Sequence, residues 1–237
     1  MAALINVIPL SAAMRGCLNV RWRGETMKIA VFGGTGATGR LLIAQAIDEG
    51  DIVTAYTRHP EKLRIVNARL AVVEGELSDT AAIERAVQGA DGVISLLGQG
   101  APVKGTPVAY GTRNILSAMT KFGVRRLVVV ATASASDPSD KPPLRSRFFI
   151  GIAKLFLRSA YDDVVATAQA VRESDRDWTI VRPPFLKDGP KTGHMNIGYL
   201  GDGVTGTYLS RANAADFMLK QLRSDEYVGK APIVTDA

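Results

Sequence analysis

The sequence predicts an α/β fold, a doubly wound parallel sheet with a small C-terminal substrate lobe, and three observations carry that expectation. Short apolar runs of strand length alternate with segments of helical period along most of the chain. The runs are apolar throughout rather than every second residue, as in strands covered on both faces. A glycine-rich turn separates the first run from the first helical segment.

Lys28–Gly33 (KIAVFG) reads as a buried strand, and Arg40–Glu49 as a helix that packs through Leu41, Leu42 and Ala44 to Ile47. Ile52–Thr57 is a second strand and Leu70–Glu74 a third. Thr80–Gln88 is a helix with Ser78 or Asp79 placed to cap it. Gly92–Leu97 is a fourth strand, Thr106–Phe122 a long helix, Arg126–Thr132 a fifth strand and Trp178–Arg182 a sixth. Right-handed crossovers between such strands wind the sheet in both directions from its first strand.

With 237 residues the chain can hold one sizeable core, expected over 27–237. Residues 1–26 stand apart as an extension, expected to be poorly ordered. They carry Arg15, Arg21 and Arg23 with Glu25 as the only acid, the flavour of an organelle transit peptide. The alternative, and the preferred reading, is an upstream start codon with Met14 or Met27 as the working start. A single cysteine, Cys17, excludes an intrachain disulfide and favours a reducing, cytoplasmic setting. The net charge of +6 is spread along the chain, with no zinc-finger spacing and no basic stripe interleaved with aromatics. Nucleic acid is therefore not the expected partner, a small molecule is, and monomer and homodimer both stay open. His59 and His194 lack a second ligand at metal spacing, so no metal is expected.

The strongest local signal is Gly33-Gly34-Thr35-Gly36-Ala37-Thr38-Gly39, between the first strand and the first helix. Gly33 makes the exit from the strand, Gly36 leaves room for a pyrophosphate, and Gly39 lets the helix lie close to the sheet. The helix N-terminus then offers free N–H groups to phosphate oxygens. This is the fingerprint of a Rossmann dinucleotide site. An acid at the end of the second strand would bind the ribose hydroxyls of NAD. The chain has Thr57-Arg58-His59 there instead, so Arg58, assisted by Lys62, is expected to pair with a 2′-phosphate, and the expected cofactor is NADP(H).

Together with GELSDTAAIERAVQGADGVISLLG, GTRNILSAM, VRRLVVVAT and DWTIVRPP, this loop resembles the atypical short-chain dehydrogenase/reductase superfamily. Within it the likeness is to the NAD(P)H-binding branch that includes NmrA-like proteins and biliverdin reductase B/flavin reductase. The resemblance implies further cofactor contacts at Glu76 and Leu77, at Leu97, Gly98 and Gln99, and at Thr132, Ala133 and Ser134. It also implies that Arg182, Pro183, Pro184 and Phe185 close over the nicotinamide, that Lys187–Gly193 is a substrate-side loop, and that Ser210–Asp216 starts the helix after it.

Ordinary members of the superfamily use a Tyr with a Lys four residues on, which lowers the Tyr pKa for proton transfer. Here the residues at that offset from Tyr56, Tyr110, Tyr161, Tyr199, Tyr208 and Tyr227 are Pro60, Asn114, Val165, Gly203, Ala212 and Ala231. No pair exists. Ser134, Tyr161 and Asp163 are the candidate catalytic residues that remain. Ser134 and Ser136 lack a His base, which argues against a hydrolase. Leu144–Leu157 (LRSRFFIGIAKLFL) is apolar and basic together, with three readings: a pocket lid, a dimer face or a membrane-surface helix. Two functions follow. One is an NADPH-dependent reductase that passes hydride to a planar conjugated acceptor such as a flavin or quinone. The alternative is a non-enzymatic NADP(H) sensor of the NmrA-like kind.

Overall fold

The structure, a computed structural model, describes residues 25–98, 105–132, 134–141 and 158–237. Its central sheet has six strands: β1 (Lys28–Phe32), β2 (Ile52–Thr57), β3 (Leu70–Glu74), β4 (Gly92–Ser95), β5 (Arg126–Val130) and β6 (Asp177–Val181). Their order is β3-β2-β1-β4-β5-β6, and every pairing is parallel. The direction of winding reverses beside β1, so a crevice opens at the carboxyl ends of β1 and β4, where ligands of such sheets bind.

Side chains alternate across β1. Ile29 and Val31 pack with Leu42 and Ile43 of α1 (Ala37–Asp48) and with Phe217 and Met218 of α5 (Arg211–Leu222). Ala30 and Phe32 face the other layer, built from Ile83 of α2 (Thr80–Val87), Ile115 and Met119 of α3 (Pro107–Lys121), and Ala168 and Val171 of α4 (Arg158–Glu173). Both faces of the sheet are thus buried at its centre, which is why β1, β4 and β5 read as mainly apolar runs. Asp79 caps α2 by accepting from Ala82 N at 2.9 Å.

Four short strands follow: β7 (Phe185–Lys187), β8 (Met195–Gly198), β9 (Tyr208–Ser210) and β10 (Ile233–Asp236). β7 pairs with β9 in parallel and β8 with β10 antiparallel, forming two small sheets at the carboxyl edge of the main one. Single bridges, Thr179 to Lys230 and Arg182 to Ile233, lay the last segment along β6.

One buried cation joins this C-terminal part to the centre. Arg126 of β5 donates to the carbonyl oxygens of Gln221, Asp177 and Ser224 and to Thr179 Oγ1, at 2.8, 2.5, 3.2 and 2.7 Å. Burial pulls its pKa down to about 10, against the charges of Asp225 and Asp177. Residues 1–24 of the extension and the whole of Leu144–Leu157 lie outside the described residues. No helix among the described residues is long and apolar enough to cross a membrane.

Candidate functional site

The glycine loop leaves β1 through Gly33, whose φ of +85° is one that L side chains rarely adopt. A Cβ there would lie 2.8 Å from the Leu96 carbonyl carbon. At Gly39 a Cβ would strike the Gly33 carbonyl oxygen and the Gly34 backbone, so this glycine seats the helix against its own loop rather than against the sheet. Gly36 differs. The nearest atom to a Cβ there is Gly33 O at 3.4 Å, and the residue is exposed. The helix begins at Ala37, three residues before the expected Arg40, and Gly36 gives it no side-chain cap. Its ladder starts with Arg40 N donating to Gly36 O at 3.0 Å. The first-turn amides of Ala37, Thr38 and Gly39 are therefore the ordinary orphan donors of a helix start. With the open space over Gly36 they fit a pyrophosphate. Arg40 reaches back to Thr35 O at 2.5 Å and braces the loop.

Beyond this cradle the ends of β2 and β3 present Arg58, Lys62 and Glu76, all exposed. Arg58 Nη1 and Glu76 Oε2 stand 3.9 Å apart, with the two side chains 62% and 66% accessible. The turn that carries Glu76 is held from beneath. The Tyr56 hydroxyl donates to Glu76 O at 2.6 Å, and Asn114 Nδ2 to Leu77 O at 2.8 Å. Burial, with the charges of Asp79 and Glu76 behind it, pushes the Tyr56 phenol up to about 12, so it remains a donor. Gly111 lets α3 approach Leu77, since a Cβ there would lie 2.8 Å from the Leu77 side chain.

On the other side of β1, the exits of β4 and β5 open into a cleft. Leu97, Gly98, Val108, Val130, Ala131, Asp163, Val164 and Thr167 line it, so its walls are mainly apolar. Asp163 projects from α4 and is buried. It accepts from Ala109 N at 2.8 Å and from Val108 N at 3.1 Å. It thereby caps α3, whose own N-cap residue Thr106 makes no side-chain bond. Thr132 and Ser134 follow β5, Thr132 exposed and Ser134 half-buried, with Ser134 N donating to Thr132 Oγ1 at 3.4 Å. Tyr161 is half-buried on α4. Gln99 and Ala133 lie outside the described residues.

Arg182 departs from its expected place over the nicotinamide. It is fully buried, and its guanidinium is a fork on Asp140 at 2.7 and 2.8 Å, with Nε donating to Ala231 O at 2.5 Å. Asp140 also accepts from Asp137 N and Leu200 N, at 2.7 and 2.9 Å. Burial pushes the Asp140 carboxyl up, but these hydrogen bonds outweigh it and hold the group below its ordinary value. Arg182 thus fixes the frame of the cleft and offers it no side-chain donor. Pro183 is buried, Pro184 half-buried, and Phe185 is 64% exposed, its ring 6.1 Å from that of Tyr208. The Lys187–Gly193 loop is tied to the start of α5. Arg211 pairs with Asp188 at 2.7 Å, Lys191 pairs with Asp216 at 2.8 Å, and Asn213 Oδ1 accepts from the amides of Thr192 and Gly193. No His, Cys, Asp and Glu cluster suited to a metal occurs among the described residues.

The structure therefore brings Arg58 and Glu76 together at one end of the crevice and Leu97, Gly98 and Asp163 together at the other. Sequence reasoning missed Val108, Val130, Val164, Thr167 and Asp140. The one usable signal was spacing: Asp163, Val164 and Thr167 repeat at i, i+1 and i+4, on one side of a helix.

A family profile described as NAD(P)H-binding matches residues 33–225. A (4-alkanoyl-5-oxo-2,5-dihydrofuran-3-yl)methyl phosphate reductase of Streptomyces griseus is 30% identical over 65% of this chain and 46% of its own length. A 2-alkyl-3-oxoalkanoate reductase of Stenotrophomonas maltophilia is 32% identical over 81% of this chain and 64% of its own. The chain thus spans about half to two thirds of these relatives. A short-chain dehydrogenase/reductase from Veillonella parvula, solved in complex with NADP, superposes with a TM-score of 0.70 at 19% identity over 90% of this chain and 95% of that one. The matched profile covers most of the chain, glycine loop and cleft included, and the chain belongs to the NAD(P)H-binding family.

Proposed function

We propose that the chain is an NADPH-dependent reductase of a planar, conjugated small-molecule acceptor, working without a protein proton donor. The observation that carries this reading is the cleft at the exits of β4 and β5. Its walls are Leu97, Val108, Val130 and Val164, and its carboxylate, Asp163, is engaged in capping α3. Apolar walls hold a flat ring and keep water from its faces. The relatives named above support the class of reaction, since both carry the name reductase and the first acts on an oxo-dihydrofuran.

The amides at the start of α1 and the space over Gly36 hold the pyrophosphate. Arg58, helped by Lys62, holds the 2′-phosphate. Thr132 and Ser134 edge the nicotinamide end, and Phe185 stands outside it as a face for the acceptor. The reduced nicotinamide supplies the hydride. The protein supplies orientation, and the acceptor takes its proton from water.

The test is steady-state oxidation of NADPH, followed at the nicotinamide absorbance band, with a panel of flavins and quinones. At least one acceptor is reduced by the wild-type protein. Ser134→Ala, Tyr161→Phe and Asp163→Asn each keep turnover within about tenfold, because loss of a true general acid costs roughly a hundred- to ten-thousand-fold. Gly36→Val, which fills the pyrophosphate cradle, abolishes NADPH binding. A thousand-fold loss in one polar variant that still binds NADPH would reveal a dedicated acid and overturn the mechanism. If no acceptor is reduced while NADPH binds, the chain is an NADP(H) sensor instead.

A further inference from the structure

The first turn of α3 is capped from another helix. The carboxylate of Asp163, on α4 and 1% exposed, accepts from Ala109 N at 2.8 Å and from Val108 N at 3.1 Å, across 54 and 55 residues of chain. Thr106 stands at the N-cap position of α3 and is of a type that caps, yet it makes no side-chain hydrogen bond. A cap at that position could satisfy the same amides without burying a charge. Sinking a carboxylate into the interior is costly unless hydrogen bonds compensate it. The remote cap therefore does something that a local one cannot.

What it adds is a join. Val108 is at once a donor to Asp163 and a lining residue of the cleft. Val164, the residue after Asp163, lines the same cleft from α4. The hydrogen bond between Val108 and Asp163 thus ties one wall to the other, and their separation follows its length. Hydrogen bonds to a carboxylate are shorter and about twice as strong as those to a neutral oxygen, which makes the tie stiff.

We infer that Asp163 is a positioning residue for the acceptor: it holds the start of α3 against α4, fixes the width of the cleft and so selects which planar rings enter. The inference rests on the reductase reading above and adds to it the residue that sets acceptor selectivity.

The experiment compares the wild-type protein, Asp163→Asn and the double variant Asp163→Asn/Thr106→Asp. Asp163→Asn keeps the volume of the side chain but replaces one acceptor oxygen by an NH₂ group, so one of the two amide bonds is lost. Thr106→Asp moves a carboxylate to the N-cap of α3 itself, where it accepts from the same amides with no tie to α4. The readouts are melting temperature, NADPH affinity by calorimetric titration, and KM and kcat for a one-ring quinone and a three-ring flavin. In Asp163→Asn the melting temperature falls and the KM of the better acceptor rises roughly three- to tenfold, about the worth of one helix cap. The ratio of kcat/KM between the two acceptors moves towards unity. NADPH affinity stays within about twofold, and kcat changes less than KM. The double variant recovers the melting temperature and keeps the raised KM and the lost selectivity.

Recovery of KM together with the melting temperature would make Asp163 a helix cap and nothing more. That result, an unchanged acceptor KM in Asp163→Asn, or an equal loss of NADPH affinity overturns the inference while the reductase reading stands. Should the added cap fail to restore stability, the split between acceptor KM and NADPH affinity in Asp163→Asn still decides. A wild-type protein that reduces no acceptor overturns both.

Discussion

At the end of the crevice proposed for adenosine, the side chains that would meet a ligand are Arg58, Lys62 and Glu76, charged and open to solvent. At the end proposed for nicotinamide they are Leu97, Val108, Val130 and Val164, apolar and half-buried. Charge at the second end is withdrawn into the frame, where the fully buried Arg182 is locked to Asp140. The difference separates two tasks. Recognition of a phosphate needs exposed charge that a ligand can reach. Hydride transfer to a conjugated ring needs a dry, shaped wall.

The largest effect is expected where the frame is broken. Asp140→Asn leaves the Arg182 guanidinium buried without its counter-charge, at a cost of about 3–5 kcal/mol. Chemical denaturation reads this directly. The same pair gives a sign for pH. Because Asp140 is held below its ordinary value in the folded protein, its stabilisation is complete above the unfolded carboxylate range, near pH 4, and is lost as pH falls through the lower folded value. Wild-type stability should therefore fall more steeply below about pH 4 than that of Asp140→Asn. Parallel acid profiles for the two proteins would show that the pair contributes little.

A smaller effect belongs to the exposed end. Arg58→Ala should weaken NADPH by about 1.5–3 kcal/mol and leave NADH nearly unchanged, removing the preference for the phosphorylated cofactor. Glu76→Gln should act in the opposite direction. It removes an acid 3.9 Å from Arg58 that competes with the 2′-phosphate, but for so exposed a pair the gain is at most about 1 kcal/mol. Affinities of the two variants for both cofactors check this, and equal wild-type affinities for NADPH and NADH would dissolve the contrast between the ends.

The smallest effect is expected from a change that touches neither end. Met27 is buried at the start of β1, and its amide donates to Asp51 Oδ1 at 2.9 Å, where Arg223 also pairs at 2.6 Å. A chain that starts at Met27 places its α-ammonium at this carboxylate. Its stability and its NADPH affinity should stay within about 0.5 kcal/mol of the full chain. A large fall in melting temperature would mean that residues 1–26 pack on the core.

The inner strands β1, β4 and β5 were legible because burial on both faces makes each a mainly apolar run, whereas β3, an edge strand with no buried residue, was legible from its apolar composition alone. The start of α1 was not, because Gly39 in its first turn speaks for a loop when read locally. β7 to β10 left no periodic trace. They are three or four residues long and exist through distant pairings such as Phe185 with Tyr208 and Met195 with Asp236. The exposed place of Arg58 was legible because it directly follows a strand end. The burial of Arg182 was not, because its partner Asp140 lies 42 residues away.

The cation buried in β5 also bears on the order in which the chain assembles during synthesis. The acceptors of Arg126 include Asp177, Thr179, Gln221 and Ser224, residues made well after it. An uncompensated guanidinium in the interior costs several kcal/mol, so β5 gains little from docking until those residues have left the ribosome. Nascent chains halted short of residue 224 would then expose β5 to protease, and release of the last helix would close it in one cooperative step. On this account Gln221 and Ser224 act as a checkpoint on the completeness of the sheet that precedes them.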